Sequence, residues 1–187
     1  VHRTTRSVAQ GSLDSPCVRR CVEGSRLVKC SHCSNDLRPI VVSDIDGTLA
    51  NYHAHYTYFA CQYFDIEMPE RDWDGRGEFE DHLGLTKEQY REAKLAYRQG
   101  GNKRLLTPYP RALDFMEEMH DAGAEIWVCT TRPYQRLDNV DPDTREWLRR
   151  YGIHFDGLLY GEDKYERLVS VIDRDRVVAV VDDLPSM

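Results

Sequence analysis

Asp44 and Asp46 stand one residue apart at the end of the apolar run Ile40 to Leu49, I-V-V-S-D-I-D-G-T-L. Successive side chains of a strand point to opposite faces, so the two carboxylates meet at one centre only where the strand stops and the chain coils. Gly47 permits that turn. Two carboxylates so placed can bind a hard cation such as Mg²⁺, which takes oxygen ligands. They can also divide the roles of nucleophile and general acid. The plain alternative is an acidic exit from a strand into a turn.

Further apolar runs predict the elements that would position such a site. Glu125 to Cys129 (E-I-W-V-C) reads as a second strand, Phe155 to Tyr160 as a third, and Val177 to Val181 (V-V-A-V-V) as a fully buried fourth. Between them, Arg111 to Ala122 places Leu113, Phe115, Met116 and Met119 on one helical face, and Thr144 to Tyr151 and Lys164 to Ile172 read as helices. Strands alternating with helices indicate βαβ units and a parallel sheet, an α/β fold of Rossmann-like type. Cys61 and Cys129 lie in apolar contexts and are expected in the core.

In open α/β sheets the ligand sits beyond the carboxyl ends of the strands. The residues after each run are therefore the candidates. After the second strand come Thr130-Thr131-Arg132-Pro133, where a hydroxyl and the first amides of a turn can hold phosphate oxygens. After the third, Gly161-Glu162-Asp163-Lys164 offers a cation, and the fourth ends in Asp182-Asp183.

These segments resemble the motifs of the haloacid dehalogenase-like (HAD) phosphatase superfamily, whose opening motif, D-x-D-G-T-L, is matched residue for residue. The resemblance implies that Asp44 is the nucleophile and Asp46 the acid/base. Thr130 matches the second motif, Lys164 the third, and Asp182 the acidic fourth, with Asp183 a supporting or alternative ligand. Mg²⁺ would be held by Asp44, the backbone carbonyl of Asp46, and Asp182. Thr131 and Arg132 would contact substrate. The segment 51–106 would be a helical cap closing over the site. In it Asn51 to Phe64 has helix-like spacing, Thr86-x-x-Gln89 resembles a capping box before a helix from Tyr90 to Arg98, and Gly100-Gly101 ends that helix.

The cap is rich in aromatic residues, Trp73 among them, and aromatic faces stack on bases. The layout is similar to 5'-(deoxy)ribonucleotidases and to the phosphatase domains of polynucleotide kinase-phosphatases. No G-x4-G-K-S/T occurs, so a kinase activity is unsupported. A nucleotide monophosphate is the expected substrate, with the 3'-phosphate of a nucleic-acid end as the alternative. A third reading is a non-catalytic interaction module.

Residues 1–16 read as a disordered tail. Cys17, Cys21, Cys30 and Cys33 then form C-x3-C-x8-C-x2-C, a spacing that suits tetrahedral Zn²⁺. Two disulfides or unpaired thiols are the alternatives. The zinc reading makes residues 17–38 a zinc-ribbon-like segment, expected ahead of a phosphatase-like domain at 39–187. Residues 1–38 hold seven Lys and Arg against three Asp and Glu, leaving 18 against 29 in the remainder. A basic head suits a polyanion such as nucleic acid, whereas the acidic body favours small substrates. There is no apolar stretch long enough to span a bilayer and no apolar secretory core, so a cytoplasmic protein is expected. Only five residues come after Asp182. The resemblance therefore implies one flank of the sheet left bare within this sequence: either the sequence is truncated, or a partner chain or the N-terminal segment covers that edge.

Overall fold

The apolar runs form strands β1 (Ile40–Ser43), β2 (Glu125–Thr130), β3 (Gly157–Tyr160) and β4 (Val177–Val181). They pair in parallel, in the order β3-β2-β1-β4. The computed structural model describes residues 38–133 and 137–183. The tail at 1–16 and Cys17, Cys21, Cys30 and Cys33, with their zinc reading, lie outside the described residues. All four strands belong to one compact unit that begins at Pro39.

Helices α1 (Tyr52–Phe64), α2 (Phe79–His82) and α3 (Lys87–Gln99) with a 3₁₀ turn at Asn102–Leu105 make up the insertion between β1 and α4 (Pro110–Asp121). α5 (Val140–Arg150) links β2 to β3, and α6 (Lys164–Val171) with a 3₁₀ turn at Arg174–Arg176 links β3 to β4. The insertion leaves and rejoins the core at one neck. There Asn51 N donates to Thr107 O and Tyr109 N to Leu49 O, each at 2.9 Å. α3 starts in the expected capping box, with Gln89 N donating to Thr86 Oγ1 at 3.2 Å and Thr86 N to Gln89 Oε1 at 2.9 Å. The Pro110 ring begins α4, where a missing amide hydrogen costs nothing.

Insertion and sheet share one core. Tyr56, Tyr97 and Trp147 are fully buried and pack with Ile45, Leu49, Ile126 and Val128. Trp147 Nε1 donates to Leu106 O at 2.8 Å, tying α5 to the neck. The opposite face of the sheet buries Ile40, Val42 and Cys129 against Leu168 of α6. Cys61 and Cys129 are buried free thiols, as expected.

Three expectations need correction. β4 is an edge strand rather than a fully buried one: among the described residues it pairs only with β1, and Val178 and Val180 are 65% and 54% exposed. Five β-branched or small apolar residues read the same at an edge as at the centre of a sheet, because topology decides how many faces are covered. α5 starts at Val140, four residues before Thr144, since Pro142 falls within the first turn and is tolerated there. β3 starts at Gly157, because Asp156 spends both its backbone amide and its carboxylate on Ile126 (2.7 Å to O, 2.8 Å from N).

Candidate active site

The carboxyl end of β1 delivers Asp44, and Asp44 N donates to Val181 O at 2.9 Å, beside the end of β4. A register shift between Ile40 and Val41 makes Ser43 the partner of Val181, so Asp182 and Asp183 come at the level of Asp44. Oxygens of Asp44, Asp182 and Asp183 lie within 4.8 Å of one another. An all-carboxylate oxygen set fits a hard divalent cation such as Mg²⁺.

Gly47 makes this approach feasible. Its φ is +94°, in the left-handed region, and a Cβ there would overlap Asp183 Oδ2. Asp183 N in turn donates to Thr48 Oγ1 at 3.0 Å, and the Thr48 hydroxyl donates to Asp183 Oδ1 at 3.4 Å. The Gly-Thr pair of D-x-D-G-T thus seats the last carboxylate.

α6 begins with Lys164, whose buried Nζ donates to Asp44 Oδ1 and to Asp182 Oδ2, both at 2.8 Å. Tyr165 OH donates to the same Asp182 oxygen. Burial is the largest influence on Asp44 and pushes its carboxyl up to about 6, with Lys164 opposing and the Asp46 and Asp182 charges adding to the rise.

Asp46 faces the other way. Burial disfavours its charge, but Arg132 and Lys103 outweigh that and hold its carboxyl well below the usual carboxylate range. Arg132 donates from Nε (3.1 Å) and Nη2 (2.6 Å) to its two oxygens, and Lys103 Nζ to one of them. The remaining Arg132 nitrogen, Nη1, donates to Thr144 Oγ1 at 2.9 Å. Two buried cations thus share one carboxylate, and burial pushes Lys103 down to about 7, with Asp46 opposing and the Arg132 charge adding to the fall. Lys103 also lies 3.9 Å from the Tyr52 ring centre, a cation–π contact.

Of the residues singled out in the sequence, Asp44, Lys164, Asp182 and Asp183 come together, and the Asp46 side chain sits beside them in its own cationic pocket. Thr130 ends β2 fully buried, its Oγ1 accepting from Arg132 N at 3.4 Å. Thr131 is exposed. Arg132, expected to face substrate, is instead fully buried and committed to Asp46 and Thr144. Trp73 lies in the insertion, 4.6 Å from the His53 ring, on the wall of a separate cavity. Lys103, Thr48, Thr144 and Tyr165 were not singled out. Thr48 could have been found as part of the D-G-T turn, whereas nothing local marks the other three.

The strand-end groups Asp44-x-Asp46, Thr130, Lys164 and Asp182-Asp183 stand at one end of a parallel sheet, with a helical insertion after the first strand. The arrangement resembles that of the haloacid dehalogenase-like fold. No protein-family model and no curated protein matches the chain. Among solved structures it is similar to a HAD-like family hydrolase from Streptococcus pneumoniae, at 15% identity and TM-score 0.44, covering 77% of this chain and 75% of that one. It is similar to a structure titled a predicted phosphatase from Clostridium acetobutylicum, at 15% identity and TM-score 0.47, covering 77% and 76%. It is also similar to L-2-haloacid dehalogenase from Xanthobacter autotrophicus, at 16% identity and TM-score 0.42, covering 76% and 69%. The site has an aspartate at position 46, a second carboxyl beside the first.

Proposed function

We propose that this protein is a Mg²⁺-dependent phosphomonoesterase acting on a nucleotide through an aspartyl-phosphate. The observation that carries the reading is the convergence of Asp44, Asp182 and Asp183 on one point with Lys164 between two of them. Asp44, Asp182 and Asp183, with the backbone carbonyl of Asp46, are the residues that would hold Mg²⁺. When bound, the cation neutralises charge on the phosphoryl oxygens and on the carboxylates facing them.

Asp44 attacks phosphorus, an Asp44–phosphorus bond forms, and the bond from phosphorus to the ester oxygen breaks. The leaving oxygen takes a proton from Asp46. Water then attacks phosphorus, Asp46 takes the proton from that water, and the Asp44–phosphorus bond breaks to release phosphate. Lys164 keeps Asp44 in place throughout and offsets the charge that gathers on the phosphoryl group. With Arg132 and Lys103 in contact, Asp46 is the carboxylate, the form that accepts the proton from water. Its donor form requires those contacts to loosen, and Lys103 belongs to the insertion, so binding of substrate under the insertion is the natural trigger.

A nucleotide is favoured by the aromatic cavity in the insertion, whose wall residue Tyr52 carries Lys103 on its ring. No helix among the described residues is long and apolar enough to cross a membrane.

The test is phosphate release from nucleoside 5'- and 3'-monophosphates with and without Mg²⁺, with Asp44→Asn as the control. Turnover that needs Mg²⁺ and vanishes in the variant supports the reading. Equal release by both proteins overturns it, and a metal-bound, folded protein that turns over no phosphate ester would be an interaction module instead.

A further inference from the structure

The insertion holds a cavity of about 600 Å³ whose lining residues take no part in the phosphoryl transfer itself. One wall is aromatic: Tyr52, and His53 packed 4.6 Å from Trp73. The other wall is α3, which presents Lys87, Arg91 and Lys94 at positions i, i+4 and i+7, one face of a helix. None of these three cations forms an ion pair among the described residues. Lys94 is half-buried and donates to a neutral group, the Tyr90 hydroxyl, at 3.1 Å. Glu78 and Glu80 reach the cavity without pairing with any of the three.

Three cations turned into an aromatic cavity without an ion-pair partner fit a ligand that is planar at one end and anionic at the other. The cavity is next to the reaction centre, because Tyr52 lies between them: its ring faces Lys103, and Lys103 contacts Asp46.

We infer that the cavity binds a second phosphate of the substrate on Lys87, Arg91 and Lys94, with the base against Trp73, so that the preferred substrate is a nucleotide bearing two phosphates. The inference rests on the phosphatase reading for the first phosphate alone. Two sources supply this chemistry, a free nucleoside bisphosphate and the phosphorylated end of an oligonucleotide.

The test uses the full chain carrying Asp44→Asn, with Mg²⁺, so that ligand binds without turnover. Trp73 fluorescence reports occupancy, since neither Trp127 nor Trp147 lines the cavity, and Trp73→Phe supplies the blank. The probes are adenosine 5'-monophosphate, adenosine 3',5'-bisphosphate and a 3'-phosphorylated oligonucleotide. A second phosphate on an arginine is worth about a ten-fold gain in affinity or more. Such a gap between bisphosphate and monophosphate is expected, and it should close in Arg91→Glu and Lys87→Glu, both exposed positions where the fold tolerates the change. If the oligonucleotide shows the gap and the bisphosphate does not, the source is a nucleic-acid end; the reverse assigns the free nucleotide. Equal affinity for all probes, or a gap that survives both charge reversals, overturns the inference. A gap that closes on charge reversal, in a protein whose Asp44 form turns over nothing, leaves this site standing and removes the phosphatase reading instead.

Discussion

Arg132 grips both carboxylate oxygens of Asp46, at 3.1 Å from Nε and 2.6 Å from Nη2, across 86 residues of chain. A forked guanidinium matches a carboxylate in a way an ammonium cannot, so the contact sets the orientation of Asp46 as well as its charge.

Replacing Arg132 with Met should leave Lys103 as the only cation on Asp46. Breaking one side of a buried pair typically costs about 3–5 kcal/mol. Denaturant unfolding should show a loss of that order, and Arg132→Lys should recover part of the stability but less of the turnover, since it restores charge without the fork. Equal turnover in Arg132→Lys and the parent would show that orientation of Asp46 is immaterial.

Gly47→Ala should damage metal binding more than folding. The added methyl would overlap Asp183 Oδ2 and would sit at a φ of +94°. Strain of this kind costs about 1–3 kcal/mol. The Mg²⁺ concentration for half-maximal activation should rise by about ten-fold or more, the equivalent of about 1.4 kcal/mol. An unchanged Mg²⁺ requirement would remove Asp183 from the ligand set.

Asp44 makes the metal-free protein pH-dependent in an unusual direction. Its carboxyl titrates near 6 in the folded chain against 3.8 as the ordinary value. The folded state therefore holds more protons than the unfolded state across that interval, and the Asp44 contribution to stability is complete below it and lost as pH rises through 6. The change corresponds to about 3 kcal/mol at about 1.36 kcal/mol per unit. Subtracting the pH profile of Asp44→Asn from that of the parent should isolate it in denaturation experiments run with a chelator. Mg²⁺ should flatten the difference by favouring the carboxylate.

Lys164→Met should make stability depend on metal. Without the ammonium, Asp44 and Asp182 face one another uncompensated, and a fall of about 3–5 kcal/mol is expected in chelator. Mg²⁺ at about 100 times its Kd stabilises any protein that binds it only when folded by about 2.7 kcal/mol. The thermal shift on adding Mg²⁺ should be larger in the variant, because the metal then replaces a missing charge. A smaller shift than in the parent would mean that Lys164 supports the metal rather than substituting for it.

Much of this architecture is written locally. The run I-V-V-S ends in D-x-D-G-T because β-branched residues favour extended chain and glycine alone tolerates the φ required at the turn; Thr86 and Gln89 announce the start of α3 in four residues. Parallel strands separated by helices then place every strand exit at one edge, so Asp44, Lys164 and Asp182 could be named together from their position in the chain. What local pattern does not encode is which of two similar strands lies at the rim. V-V-A-V-V and I-V-V-S read alike, yet every residue of β1 is buried and no residue of β4 is. The β1–β4 register shift, which brings Asp182 level with Asp44, is invisible for the same reason: it belongs to a pair of strands, and neither strand carries it alone.

By itself, the sequence determined the α/β order, the helical insertion and the chemical types at the strand ends, since these arise from residue periodicity and backbone preference over a few residues. Tertiary structure alone decided that Asp46 is held by Arg132 and Lys103, and that the three α3 cations face an aromatic wall. Those partners are brought together by packing of the insertion on the core, and an ion pair between residues 46 and 103 leaves no trace in the neighbours of either.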